Sequence, residues 1–277
     1  MNNPEGHLQV TGYDKANRKQ YRYHPLWNII RSHTKYFRLL EFGLSLSEIR
    51  RRIDADLRKQ GMSREKVLAL VVSVLDNTSL RIGNTTYEKL NGSYGLTTLK
   101  NKHVNINGSI VKFCFIGKKG IRNNVTLRSK RLTNIIRKCK EIPGKQLFEY
   151  VNEDGSISNV DSGMVNEYLK EITENSFTAK DFRTWAGSVC ALRTLLELEP
   201  PTSQSDMKRK ILQMYDKVAL DLGNTRNVCK THYIHPIVVK KYEENTLKQH
   251  YDYQPENENE AMLKPDELRL LSVLKML

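Results

Sequence analysis

Four short segments of the chain carry the residues that could do chemistry. Leu80-Arg81-Ile82-Gly83-Asn84 puts an arginine after an apolar stretch, and Lys180-Asp181-Phe182-Arg183-Thr184-Trp185 puts a second one near a helix start. Phe115-Ile116-Gly117-Lys118-Lys119 sets a lysine at the tip of a hairpin. Leu222-Gly223-Asn224-Thr225 is followed by Lys230-Thr231-His232-Tyr233-Ile234-His235-Pro236, a tyrosine among basic residues. Singly these are weak signals: an arginine on an amphipathic helix or a lysine in a turn is most often a solvated group, and such a tyrosine is most often packing or a stacking platform. Together they suit phosphoryl transfer without a metal. That reaction needs positive charge from the protein, and the arginine fork binds two phosphate oxygens and stays charged at any working pH. No P-loop, dinucleotide glycine motif, H-E-x-x-H or nucleophile elbow competes with this reading, and the carboxylates show no two-metal spacing.

In order and spacing the four segments resemble the compact type IB DNA topoisomerases of bacteria and poxviruses, from about Gly6 to beyond Tyr242. Arg18-Lys19-Gln20-Tyr21-Arg22-Tyr23-His24-Pro25 looks like that family's entry to its catalytic domain, and Tyr94-Gly95-Leu96-Thr97-Thr98-Leu99-Lys100-Asn101-Lys102-His103 like its sheet segment. The resemblance implies that Tyr233 is the nucleophile, that Arg81 and Arg183 hold the scissile phosphate, and that Lys118 is the general acid. Asn224 stands where many relatives carry histidine; it can donate a hydrogen bond but carries no charge. Gln20, Tyr21 and Tyr23 are implied to touch DNA near the cut, although Tyr21 and Tyr23 share a strand face, which core packing would also give. The implied reaction is relaxation of supercoiled DNA by transient single-strand cleavage through a 3′-phosphotyrosyl link. It needs no metal, nucleotide or other cofactor. An ordinary phenol ionises only near pH ~10, so a phenolate nucleophile needs positive charge beside it. The sequence offers no general base. A tyrosine recombinase would use the same nucleophile and similar arginines, but it usually has histidine three residues before the second arginine, where this chain has Lys180. A non-catalytic DNA-binding relative is the third reading, weakened because the strongest catalytic positions are all present.

These residues need elements to hold them. Leu8–Gly12 and Lys19–Tyr23 read as two short strands around a turn at Asp14–Asn17, after which Pro25 breaks the pattern. Ser45 and Glu48 form a capping box that predicts a helix from Ser45, with Leu46, Ile49, Ile53 and Leu57 on one face. A second helix is predicted from Ser63 toward Leu75. Between Leu96 and Leu127 the period changes: Asn107-Gly108 is a hairpin signal, Val111, Phe113 and Phe115 alternate, and Gly117–Gly120 makes a second turn. That predicts a three-stranded sheet bearing Lys118. Helices resume near Met164, from Lys180, over Asp206–Leu222 with Gly223 as C-terminal cap, and from Pro265.

The fold class expected is α+β, mostly helical, with a small antiparallel sheet. Residues 1–24 are expected to be the C-terminal strands of a truncated N-terminal β-domain, 25–251 the catalytic domain, and 252–277 an acidic linker with a terminal helix. The charge agrees with the chemistry: 45 lysines and arginines against 31 acids give a formal net charge of +14, which points to an anionic partner, double-stranded DNA first. No apolar run is long enough to cross a bilayer and the first ten residues lack a signal-peptide core, so a cytoplasmic location (nucleoid-associated in a bacterium) and a monomer are expected. The four cysteines, Cys114, Cys139, Cys190 and Cys229, lack metal-finger spacing and read as reduced thiols.

Overall fold

A computed structural model describes residues 6–14 and 19–276, with residues 28–35 as backbone only. The chain forms two compact units, Met1–Glu41 and Phe42–Leu277. In the first, β1 (Leu8–Tyr13) and β2 (Lys19–Tyr23) pair antiparallel, from Leu8 opposite Tyr23 to Tyr13 opposite Lys19. Almost every residue of the pair is exposed, as expected of two strands too few to enclose a core. Most of the turn expected at Asp14–Asn17 lies outside the described residues.

Pro25 does not break the chain's regularity; it starts it. Helix α1 runs Pro25–Arg58 without interruption. Proline suits a first helical position because its fixed φ fits and its missing N–H is not needed there. Ser45, expected to open a helix, sits in the middle of this one. The capping-box pattern is a local coincidence overridden by an apolar stripe that continues back from Leu46 to Phe42 and Leu39.

In the larger unit the segments follow the expected order, with several elements that periodicity missed. Helix α2 (Arg64–Thr78) is capped by Ser63, whose hydroxyl accepts from Lys66 N, and short α3 (Thr85–Asn91) is capped by Asn84. Strands β3 (Val104–Asn107), β4 (Ile110–Ile116) and β5 (Arg122–Arg128) form an antiparallel sheet in the order β3-β4-β5. The basic helix α4 (Lys130–Glu141) and a small hairpin of β6 (Glu149–Val151) and β7 (Ile157–Asn159) come next. Then follow α5 (Ser162–Thr173), α6 (Ala179–Glu197), α7 (Gln204–Leu222), α8 (Arg226–His232), α9 (Pro236–Glu243), α10 (Glu258–Ala261) and α11 (Pro265–Leu274). The fold is thus mainly helical with small antiparallel sheets, as the sequence indicates.

Helix α6 is the hub, packing against α2, α7, α9 and α11. Its Phe182 and Trp185 meet Phe42 edge-on at 5.0 and 6.0 Å, and Phe177, just ahead of the helix, adds a third such contact at 5.3 Å. Gly43 lets α1 come this close: a Cβ there would stand 2.5 Å from the Trp185 ring.

The acidic stretch 252–260, read from composition as a linker, is tied down. Glu260 is buried and accepts from Lys275 Nζ at 2.7 Å, while Lys275 also reaches Glu256 and the Tyr253 hydroxyl. Helix α11 is anchored by an ion-pair triad in which the Arg50 guanidinium donates to both oxygens of Asp76 (2.9 and 3.0 Å) and of Glu267 (2.8 and 2.7 Å). Burial alone would raise the Glu267 carboxyl, but the hydrogen bonds and charge of Arg50 hold it below the usual carboxylate range. A depressed carboxylate adds stability above its unfolded pKa and loses it as pH falls through the folded value. Glu267→Gln should therefore cost about 3 kcal/mol at pH 7, the low end for breaking a buried pair because Arg50 keeps Asp76. The gap between variant and wild type in urea melts should shrink as pH drops below about 4.5. A gap that is constant from pH 7 to pH 3 would show that packing, not charge, anchors α11.

Candidate active site

Arg81 lies just past α2, whose C-cap Ser79 turns the chain into the left-handed region at φ 53°. The backbone that follows is clamped. Arg81 O accepts from Leu96 N at 2.9 Å, and Ile82 O accepts from Thr97 N at 2.7 Å and Thr97 Oγ1 at 3.0 Å. Gly83, at φ 101°, and Gly95 touch backbone to backbone; a Cβ on Gly95 would fall 2.5 Å from Gly83 Cα. Held this way, the half-buried Arg81 side chain donates to Asn224 Oδ1 at 2.5 Å and Gly223 O at 3.3 Å.

Arg183 opens the second turn of α6, whose N-terminus is fixed by a capping box between Thr178 and Asp181. It is only 4% exposed. Its guanidinium donates to Ser79 O and to Leu222 O, the latter at 2.9 Å, and lies 5.0 Å from the centre of the Tyr233 ring. Arg183 Nε is buried without a partner. Among the described residues neither arginine is paired with a carboxylate. Burial depresses the Arg81 guanidinium, and the neighbouring charge of Arg183 depresses it further.

Tyr233 occupies the break between α8 and α9. Its N–H closes α8 on Cys229 O at 3.0 Å, Ile234 behind it is buried, and His235 caps α9 by accepting from Ile237 N at 3.1 Å. Helix α6 grips the same segment. Ser188 Oγ donates to Tyr233 O at 3.4 Å and accepts from His235 N at 3.0 Å. Gly187 has no room for a side chain, because a Cβ would stand 2.5 Å from Tyr233 O and 3.2 Å from Tyr233 Cβ. One helix therefore places both Arg183 and, four and five residues later, the backbone of Tyr233.

Asn224 follows Gly223, the left-handed C-cap of α7. Its amide oxygen faces Arg81, and its amide nitrogen donates to Leu222 O at 3.4 Å. Cys229 lies beneath this cluster. Burial pushes its thiol up to about 11 against the pull of Arg183 and Arg81, so it is inert packing rather than a nucleophile. Lys118 sits apart, exposed on the turn between β4 and β5, which Gly117 closes by donating to Ile121 O at 2.7 Å. No carboxylate pairs with Lys118 among the described residues. Taken together, Arg81, Arg183, Asn224 and Tyr233 converge, with Lys118 on a separate hairpin. The arrangement sets two guanidinium groups, able to bind an anion, beside a phenol.

The family model for the catalytic core of eukaryotic DNA topoisomerase I matches residues 25–260. The chain belongs to the type IB DNA topoisomerase family. It is 28% identical over 249 residues to DNA topoisomerase 1B of Acanthamoeba polyphaga mimivirus, covering 87% of this chain and 74% of that protein. It is 29% identical over 217 residues to DNA topoisomerase 1 of Drosophila melanogaster, covering 73% of this chain but only 21% of the fly protein. The recombinase reading gives way to this membership. Among the described residues, no helix is long and apolar enough to cross a membrane.

Gln20, Tyr21 and Tyr23 belong to the N-terminal unit. Tyr21 and Tyr23 stack on one strand face with ring centres 6.3 Å apart, and Tyr21 is half exposed, so the pair is not core. Gln20 Nε2 donates to Asp14 Oδ2 at 3.0 Å on this strand pair. Sequence reasoning missed Gly187, Ser188 and the Gly83–Gly95 contact. The signal was present as the run of small residues Ala186-Gly187-Ser188 one turn after an arginine, which marks close helix packing. Gly187→Ala should push the Tyr233 backbone outward, and a misplacement of about 1 Å costs on the order of 100-fold in rate. Single-turnover cleavage should drop by about that factor while equilibrium DNA affinity stays within a few fold. Normal cleavage by this variant would show that Tyr233 is not held by α6.

Proposed function

We propose that this topoisomerase cuts one strand of duplex DNA with Tyr233, supported above all by two arginines without carboxylate partners beside that tyrosine. Arg81 and Arg183 bind the non-bridging oxygens of the scissile phosphate and stabilise the charge that grows on it in the transition state. They also favour the phenolate of Tyr233, which forms the bond to phosphorus as the bond to O5′ breaks. The product is a 3′-phosphotyrosyl link and a free 5′-hydroxyl, and reversal reseals the strand. Asn224 contributes through its amide, with its oxygen on Arg81 fixing that guanidinium and its nitrogen as the donor for phosphate. Lys118 is the general acid, giving its proton to O5′ as that poor leaving group departs. The free ammonium on an exposed turn suits a group that must reach into bound DNA.

In this reading residues 25–251 are the catalytic domain, and the strand pair within 1–24 is a second DNA-contacting element through Gln20, Tyr21 and Tyr23. The segment 252–277 closes the helical body. The protein acts as a monomer in the cytoplasm, at the nucleoid in a bacterium, and uses no metal or nucleotide.

Tyr233→Phe removes one oxygen and leaves shape and charge in place. Plasmid relaxation and the covalent adduct trapped by denaturant should vanish while non-covalent DNA binding survives. An adduct still formed by the Phe variant would move the nucleophile elsewhere, to Tyr242 or Tyr251 first. For Lys118→Ala, cleavage of ordinary DNA should fall by roughly 100- to 10,000-fold. It should recover on DNA whose bridging 5′-oxygen is sulfur, because a thiolate leaves without a proton. Failure of sulfur to rescue it would demote Lys118 to phosphate binding and make Lys119 the next candidate.

A further inference from the structure

The Asn123 side chain lies beside both the turn that carries Lys118 and Gly223 of the arginine cluster. Asn123 stands on β5 opposite Phe115 and is half-buried. Its amide nitrogen donates to Ile121 O at 3.0 Å and covers Gly117 so closely that a Cβ at Gly117 would overlap it. Its amide oxygen points the other way, 3.8 Å from where a Cβ on Gly223 would stand. Both flanking residues are glycines, and both matter to the site. Gly117 is the residue before Lys118 and anchors the turn through Ile121 O, the same carbonyl that Asn123 uses. Gly223 presents its carbonyl to Arg81 and precedes Asn224. One planar amide thus fills the space between the base of the lysine turn and the turn that completes the arginine cluster.

We propose that Asn123 is a positioning residue that sets the Lys118 turn against the Arg81–Asn224 cluster, so that the ammonium meets the leaving oxygen when DNA is bound. This rests on the reading of Lys118 as general acid. In that step the Tyr233 oxygen bonds to phosphorus and the electron pair of the P–O5′ bond passes to O5′. O5′ takes a proton from the Lys118 ammonium, leaving a neutral amine and a 5′-hydroxyl. An exposed turn has many orientations open to it, and proton transfer requires hydrogen-bond distance. Truncating Asn123 removes the spacer without touching either arginine, so the loss falls on proton delivery and not on phosphate binding.

The test is single-turnover cleavage by Asn123→Ala on ordinary DNA and on DNA with a bridging 5′-sulfur, beside Lys118→Ala on both. Asn123→Ala should be slower by about tenfold or more on ordinary DNA, a part of the roughly 100- to 10,000-fold a general acid supplies, and close to wild type on the sulfur substrate. An equal loss on both substrates, or no loss on either, overturns the role of Asn123 when Lys118→Ala is itself rescued by sulfur. If Lys118→Ala is not rescued, the general-acid reading fails, and the proposal falls with it for that separate reason. Thermal melting of each variant shows whether it folds. Should Asn123→Ala not fold, Gly117→Ala displaces the same amide from the other side and must show the same sulfur-rescued defect.

Discussion

Two guanidinium groups held close together in a half-buried site, with no carboxylate paired to them among the described residues, are the constraint on which the rest of the molecule depends. Like charges at short range repel, and burial makes the repulsion stronger, as the depressed Arg81 guanidinium records. The fold stabilises the pair without cancelling its charge. Arg183 donates to Ser79 O and Leu222 O, and Arg81 to Gly223 O. Those carbonyls lie at the C-terminal ends of α2 and α7, where the last peptide groups lack intrahelical partners and carry roughly half a negative charge per helix. Partial charges satisfy some of the N–H groups, though not Arg183 Nε, and leave a net positive site. In the proposed reaction a phosphodiester supplies the missing negative charge.

The second requirement is that Tyr233, the proposed nucleophile, keep a fixed relation to this cluster. Loops at the break between two short helices would give Tyr233 too much freedom by themselves. Helix α6 removes it, because Arg183, Gly187 and Ser188 lie within one and a half turns of one rigid rod. The rod is in turn fixed by the Phe42, Phe182 and Trp185 contacts, so packing far from the phosphate determines the distance between arginine and tyrosine. The lysine is treated differently, on the turn between β4 and β5, where the Asn123 amide lies beside Gly117 and Gly223.

Much of this was legible in the residues and some was not, for physical reasons. The sheet and its turns were readable because Asn107-Gly108 and the alternation of β4 are local signals, and α7 was readable because Gly223 caps it. Helix α1 was misread because a capping-box pattern at Ser45 and a proline at 25 were weighed as local punctuation, whereas burial of Phe42 and Leu46 on one stripe decides the helix. The acidic stretch 252–260 was misread because composition does not show that Lys275 returns to pair with Glu256 and Glu260. The members of the proposed catalytic set were named from their order along the chain. Their convergence could not be read that way, since Arg81 and Asn224 are 143 residues apart, and the contacts of Gly187 and Asn123 exist only in three dimensions.

Excess positive charge alone does not explain why the arginines stay unneutralised, because acids lie close to them in sequence. Asp181 is two residues before Arg183, and Asp221 is one residue before Leu222, whose carbonyl Arg183 uses. Both are occupied elsewhere. The Asp181 carboxylate accepts from Thr178 N at 2.8 Å and Thr178 Oγ1 at 3.0 Å, closing the start of α6. Asp221 accepts from Lys217 Nζ at 3.1 Å and from Cys190 Sγ at 3.2 Å. Helix geometry enforces the separation. A carboxylate at a capping-box position is turned back toward the N-cap, and an acid four residues after a lysine is turned along its own helix face. The carboxylates nearest in sequence therefore do structural work and leave the positive charge of the cluster uncancelled.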